Sequence, residues 1–417
     1  MRLAVALTLG LAAVPSTAQE PPSSWVDPDT GHRVVRLTKE PGSASLYFNQ
    51  NAYTADRKRM LYTTPDGISV LDLQSIEARE VVKGRARVIG AGRRSNTVYY
   101  TKDGAVWVTD VDSLRSREIG ELPPGGSVAT VNADETLLAG TYVERKVAGA
   151  TDGTGGALPR QPDPVPALEQ PRDKGRMMEE RLAARLPMAL FTMDVASGRT
   201  AVIHRATDWL NHVLFSPTDA SLLMFCHEGP WHKVDRIWTI GTDGTRLQRI
   251  HRRSMVMEIF GHEFWGHDGR TIWYDWQFPR GEDFWLAGHD VETGERVAYH
   301  LQRNEWSIHF NVSDDGGLFC GDGGDEGQVA GASDGRWIYL FRPERVPNRA
   351  GLDEPSFIRP GVLRAERLVN MAKHDYRLEP NVRFTPDRKR VVFRSNMFGS
   401  TYVFAVEVEA AVRAGTR

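Results

Sequence analysis

A short hairpin recurs along this chain, and its spacing restricts the fold more than any other feature of the sequence. Residues 209–238, WLNHVLFSPTDASLLMFCHEGPWHKVDRIW, hold a clear copy: an apolar strand ending on Phe215, a Ser-Pro-Thr-Asp turn, and a second apolar strand that delivers Cys226, His227 and Glu228. Turn residues between two apolar runs are a hairpin signal. The same grammar starts at Tyr53, Val131, Trp265, Val312 and Phe384, with a weaker copy at Ile89. The seven anchors are separated by 36, 42, 84, 50, 47 and 72 residues. A unit of roughly 40–50 residues built of short strands is the period of a propeller blade. The expected fold is therefore all-β, a seven-bladed β-propeller. The β-rich run HRVVRLT, residues 32–38, precedes the first hairpin and is expected to pair with residues 402–408, closing the last blade and removing its free edges.

At the N-terminus, Met1 and Arg2 precede an apolar run over residues 3–13 and the small residues Ser16, Thr17 and Ala18. Residues 1–18 read as a signal peptide, so the protein is expected to be exported and periplasmic, with residues 19–417 as one propeller domain. The run is too short for the roughly 20 residues of a membrane span. A net charge of −2 with both signs interspersed sets up no long-range field for nucleic acid or a membrane, and fixes no oligomeric state. The two cysteines, Cys226 and Cys320, fall in different blades and are expected as buried free thiols.

Two stretches exceed the blade period and read as insertions, residues 144–187 and 325–370. The first is Gly/Pro/Asp-rich and then forms a candidate helix over residues 176–186, expected to cover one face. The second, apart from a strand at 337–341, reads mostly as solvated loop. Just before it GDGGD, residues 321–325, resembles a phosphate or calcium loop but lacks the following helix that a phosphate loop needs, and reads as a tight turn.

In a propeller the first strand of each blade runs along the central channel, so equivalent positions ring the axis. Three residues before each anchor stand Gln50, Ala86, Val128, His212, His262, His309 and Asn381. Three consecutive blades thus place histidine at one register. Imidazoles beside amide and carboxylate oxygens suit Mn²⁺, Zn²⁺ or Fe²⁺, and Glu379 stands two residues before Asn381. His227 is expected on the same rim as His212, followed on a connecting loop by Glu228, Trp231, His232, Asp235 and Arg236. Scaffold-held loops commonly carry binding and catalytic groups, and Trp231 is suited to stacking on a sugar. There is no Gly-x-Ser-x-Gly elbow to support a serine hydrolase.

The runs FSPTDASLLMFCHEGPWHKVDRIW, GHEFWGHDGRTIWYD, HFNVSDDGGLFCGDGG and EPNVRFTPDRKRVVFRSN resemble the oligogalacturonate lyases, seven-bladed polysaccharide lyases, from about Trp25 onward. The resemblance implies β-elimination of an acidic oligosaccharide with a bound divalent metal, typically Mn²⁺. It assigns His227 of CHEGP as the base and His262 of HEFW as a metal ligand. The family's Gln and His-Pro-His ligand segment reads here as Tyr376 and Glu379-Pro380-Asn381, replacing two imidazoles by a carboxylate and an amide. Chemically, a metal on the uronate carboxylate offsets the charge that builds when a neutral imidazole removes the C5 proton, and Arg236 is placed to clamp a second carboxylate. The competing expectations are a glycoside hydrolase using Glu228, Glu263 or Glu379, and a periplasmic oligosaccharide-binding propeller without catalysis.

Overall fold

A computed structural model describes residues 20–144, 174–327 and 331–411. Its strands form seven antiparallel blades in chain order, with first strands Ala44–Ser45, Arg87–Ala91, Ser127–Val131, Trp209–Phe215, Ile259–Trp265, Phe310–Val312 and Arg383–Phe384. The first four blades have four strands each. Blades 5 and 6 fuse into one eight-stranded sheet, because Arg296–His300 pairs in parallel with the start of Ile358–Asn370. The last blade is closed by the N-terminal segment: His32–Arg36 lies against Ser400–Ala410, with Val34 opposite Val406 and Arg36 opposite Phe404. Ser24–Val26 then adds a fifth, outermost strand that the sequence pattern did not announce.

Apolar side chains meet between blades rather than within one sheet. One cluster joins Leu61 and Val70 of blade 1, Val98 of blade 2 and Val392 of blade 7, so each blade is stabilised by its neighbours, as expected of stacked repeats. Asx turns fix the hairpins. Asp219 Oδ1, for example, accepts from the Ser221 amide at 2.8 Å and from its hydroxyl at 2.7 Å. Cys226 and Cys320 are buried and free.

The reading of residues 325–370 as mostly loop is corrected. Trp337–Arg345 and Ile358–Asn370 form a long hairpin whose tip reaches beyond the blade to join blade 5. Pro343, Pro360 and Gly361 sit inside these strands; Pro343 lies beyond the last residue paired to Phe319–Gly321, where a missing amide donor is tolerated. In the first insertion the described helix is Lys174–Ala184. Residues 1–18 and most of that insertion lie outside the described residues. Among the described residues, no helix is long and apolar enough to cross a membrane.

Candidate active site

The histidine register is built by a repeated backbone device. The first strands of blades 4 and 5 slip register between Asn211 and Leu214 and between Gly261 and Phe264. His212 and His262 sit inside those bulges with left-handed backbones, φ 45° and 46°, and Asn381 takes the same conformation at 55°. A bulge takes its extra residue out of the ladder and re-aims the side chain, and non-glycine residues held left-handed concentrate at functional sites.

The result is a cluster at one mouth of the channel. The imidazoles of His262 and His309 lie with ring centres 5.0 Å apart. Each has Nδ1 held by an aspartate on or just after the second strand of its blade: His262 by Asp275 Oδ1 at 3.1 Å, His309 by Asp322 Oδ2 at 2.8 Å. That leaves both Nε2 atoms for other partners. Glu379 Oε2 is 3.8 Å from His309 Nε2 and the Tyr47 hydroxyl 3.3 Å. His212 Nε2 contacts Glu228 Oε2 at 3.1 Å.

Behind this cluster lies a buried ion triad. Arg236, 1% exposed, directs Nη1 to Glu228 at 2.7 Å and Nε to Glu263 at 2.9 Å, beneath the ring of Trp231. Burial alone would raise the Glu228 carboxyl, but Arg236 and His212 outweigh it and hold the group well below the usual carboxylate range. This corrects two expectations. Arg236 is an internal counter-ion with two nitrogens committed, not an open clamp for substrate. Glu228 and Glu263 are tied to it and poorly placed as the acid pair of a glycosidase.

Other expected residues are placed as follows. Trp231 packs its edge against His262 at 4.9 Å and donates to Glu228. His232 is half-buried on the following turn. Gln50 uses its amide to tie the Tyr47 amide to the Val88 and Ile89 carbonyls, bridging blades 1 and 2. Asn381 accepts from the Phe48 amide and donates to the Glu379 carbonyl, so it fixes the backbone that carries Glu379. Tyr376, at the position of the family's Gln ligand, does not face the site: it is a buried prop, 1% exposed, with its hydroxyl on the carbonyl of Asp322.

His227 shares the rim but turns the other way. Cys226 and Glu228 face the triad, whereas His227, between them on the strand, faces blade 3. There it stacks on Trp238 at 5.3 Å and sets Nδ1 3.0 Å from Asp208 Oδ2. Burial pushes its pKa below 6.5, with Asp208 partly opposing, so the ring is neutral at pH 7. The helix lies over this edge: Arg185 pairs with the same Asp208, Arg181 stacks on Trp209, and Glu179 pairs with Lys233.

Sequence reasoning missed Tyr47, Asp275, Asp322 and Asp208. A usable signal existed for two of them, since an aspartate follows at an offset of 13 from both His262 and His309. Asp322 lies in the GDGGD segment read as a plain turn. Its carboxylate receives the His309 and Asn381 amides as well as the imidazole.

The residues present fit a divalent cation. Carboxylate-held imidazoles are the usual outer-shell arrangement of metal-binding histidines. Five carboxylates, Glu228, Glu263, Asp275, Asp322 and Glu379, gather here, and Glu263 Oε1 and Asp275 Oδ2 are buried with no hydrogen-bond partner among the described residues. His212, Cys226 and Glu228 also approach one another closely, but burial raises the Cys226 thiol pKa and Glu228 is already paired with Arg236. The imidazoles of His262 and His309 with Glu379 offer a second donor set, less closely gathered but not committed to Arg236. A cavity of about 990 Å³ opens beside it, lined by Tyr47, His212 and Glu379.

Comparison with known proteins follows the same lines. Residues 169–412 match the family model described as oligogalacturonate lyase. The oligogalacturonide lyase of Pectobacterium atrosepticum is 24% identical over 93% of this chain and 96% of its own, and the oligogalacturonate lyase of Dickeya dadantii 23% identical over the same shares. A solved oligogalacturonate lyase in complex with manganese superposes with a TM-score of 0.72 at 24% identity, covering 93% of this chain and 96% of that one.

Proposed function

This chain belongs to the oligogalacturonate lyase family, and from that premise we propose that it cleaves oligogalacturonate or a related uronide by metal-assisted β-elimination, leaving a 4,5-unsaturated product. The observation that carries the reading is the pair of channel-mouth imidazoles, His262 and His309, each with Nδ1 fixed by a carboxylate and Nε2 turned to a mouth that also holds Glu379. His262, His309 and Glu379 would hold a divalent ion, for which manganese is the choice because a structural relative contains it. Such an ion neutralises the substrate carboxylate next to the proton that leaves.

His227 is the proposed base. Asp208 orients its Nδ1 and leaves Nε2 as acceptor, and burial keeps it neutral at working pH. Arg236 holds Glu228 and Glu263 in place, and Glu228 in turn fixes His212. A second reading has His212 as the base, because it lines the cavity next to Glu379. The two separate on single substitutions assayed by ultraviolet absorbance of the unsaturated product from digalacturonate. His227→Ala should lose most turnover and keep its metal; retention of near-normal rates with loss in His212→Ala would transfer the role.

The export signal over residues 1–18 and the periplasmic location belong to this proposal. N-terminal sequencing of the protein from a periplasmic extract should begin near residue 19, and recovery of full-length chain only in the cytoplasm would count against it.

A further inference from the structure

The ring of register positions is polar on one side only. Blades 4 to 7 and 1 contribute His212, His262, His309, Asn381 and Gln50, whereas blades 2 and 3 contribute Ala86 and Val128. These short apolar side chains, with Gly126 and Gly104 nearby, leave space, and the 990 Å³ cavity extends into it. That volume lies at the upper end of the roughly 300–1,000 Å³ typical of small-ligand pockets, more than one sugar at the histidines would need.

The walls of this extension are basic. Arg85, Arg87 and Lys102 line it from blade 2, and Arg394 from blade 7. Among the described residues, none of the four ion-pairs with a carboxylate. Lys102 donates to the Lys83 carbonyl at 2.9 Å and Arg394 to the Glu379 carbonyl at 2.8 Å, and Arg394 also feels the nearby carboxylate of Glu379. The chain elsewhere pairs its arginines readily, as Arg59 with Asp112 and Arg364 with Glu344 show. Arg377, on the same cavity, is itself paired with Asp375. A row of cations without ion-pair partners, leading away from a site that handles one uronate, is complementary to the next carboxylates along the same polymer.

We propose that Arg85, Arg87, Lys102 and Arg394 form a subsite for the carboxylates of further uronate units, so that the enzyme grips oligomers longer than the two residues flanking the scissile bond. This rests on the uronide reading above and deepens it. The substrate chain runs from the Glu379 side of the mouth across the gap left by Ala86 and Val128, and the subsite discriminates acid from methyl ester by charge.

The test uses the manganese-loaded protein and rapid-mixing tryptophan fluorescence, which reads binding ahead of turnover. Wild type and the Arg85→Gln/Arg87→Gln variant are titrated with trigalacturonate and with its fully methyl-esterified form. The variant should bind the acid at least about tenfold more weakly, a loss of roughly 1.4 kcal/mol, with the methyl ester unchanged and the difference shrinking in high salt. An unchanged affinity for the acid, or an equal loss for the ester, overturns the subsite. Circular dichroism and metal content check that the variant is folded. Double-bond formation from digalacturonate by wild type is measured separately. Normal turnover with arginine-independent binding removes the subsite alone, and arginine-dependent binding without any turnover supports the subsite while removing the lyase reading.

Discussion

Replacing Arg236 by methionine should destabilise the protein more than any other single change at the site. The side chain is 1% exposed and its partners Glu228 and Glu263 are 5% and 0% exposed, at 2.7 and 2.9 Å. Methionine fills similar volume but leaves two carboxylates buried without a counter-charge. Removing one partner of a buried pair costs about 3–5 kcal/mol, and two carboxylates share the loss here, so the upper part of that range is expected. Urea denaturation at pH 7, compared with wild type, reads the difference directly. The sign of its pH dependence follows from linkage. Without Arg236 burial is left to raise the Glu228 carboxyl in the folded state, so the folded state takes up a proton before the unfolded one and the deficit should narrow as pH falls from 7 to 5. Adding Glu228→Gln and Glu263→Gln should recover most of the stability. A deficit under about 1 kcal/mol, or one that widens on acidification, would refute the triad as described.

Removing the outer carboxylate in Asp322→Asn should weaken metal binding by about 10- to 100-fold, read by competition with a chelating dye. His227→Ala should lower kcat by roughly 10²- to 10⁴-fold; in wild type the acid limb of the rate should lie at lower pH than an ordinary imidazole would give, because burial depresses the pKa of His227 and keeps its base form at lower pH. Acid stability should decline between pH 6.5 and about 4, because His289 and His374 are held by burial at about 4 and the unfolded chain takes up their protons first. Each contributes on the order of 1.4 kcal/mol per pH unit across that window. His374→Gln, assayed by unfolding at pH 7 and pH 5, should flatten the decline, and an unchanged slope would contradict it.

The architecture was legible because turn residues and apolar runs repeat locally, and a register shared by His212, His262 and His309 survives any error in strand ends. Closure by residues 32–38 was legible for the same reason, since an extra β-rich run before the first blade has one open edge to occupy. What escaped depended on contacts across the sheet or between blades. Arg236 gave no sign of burial, because its two glutamates come from different blades. Asp322 was hidden by the glycines around it, and Tyr376 occupies a ligand's place in the sequence while its side chain packs inward. The strand over residues 358–370 was masked by proline and glycine, whose usual meaning is overridden where a hairpin finds a neighbouring edge.

The central claim, elimination at a metal held by the channel-mouth histidines, is tested most directly by mass analysis of the products of trigalacturonate, with manganese-loaded wild type and His262→Ala/His309→Ala side by side. Wild type should give one fragment lighter by a water and bearing the C4–C5 double bond, and the double variant should give neither product nor bound metal. Saturated fragments only, or unsaturated product at wild-type rates from the double variant, would contradict the account.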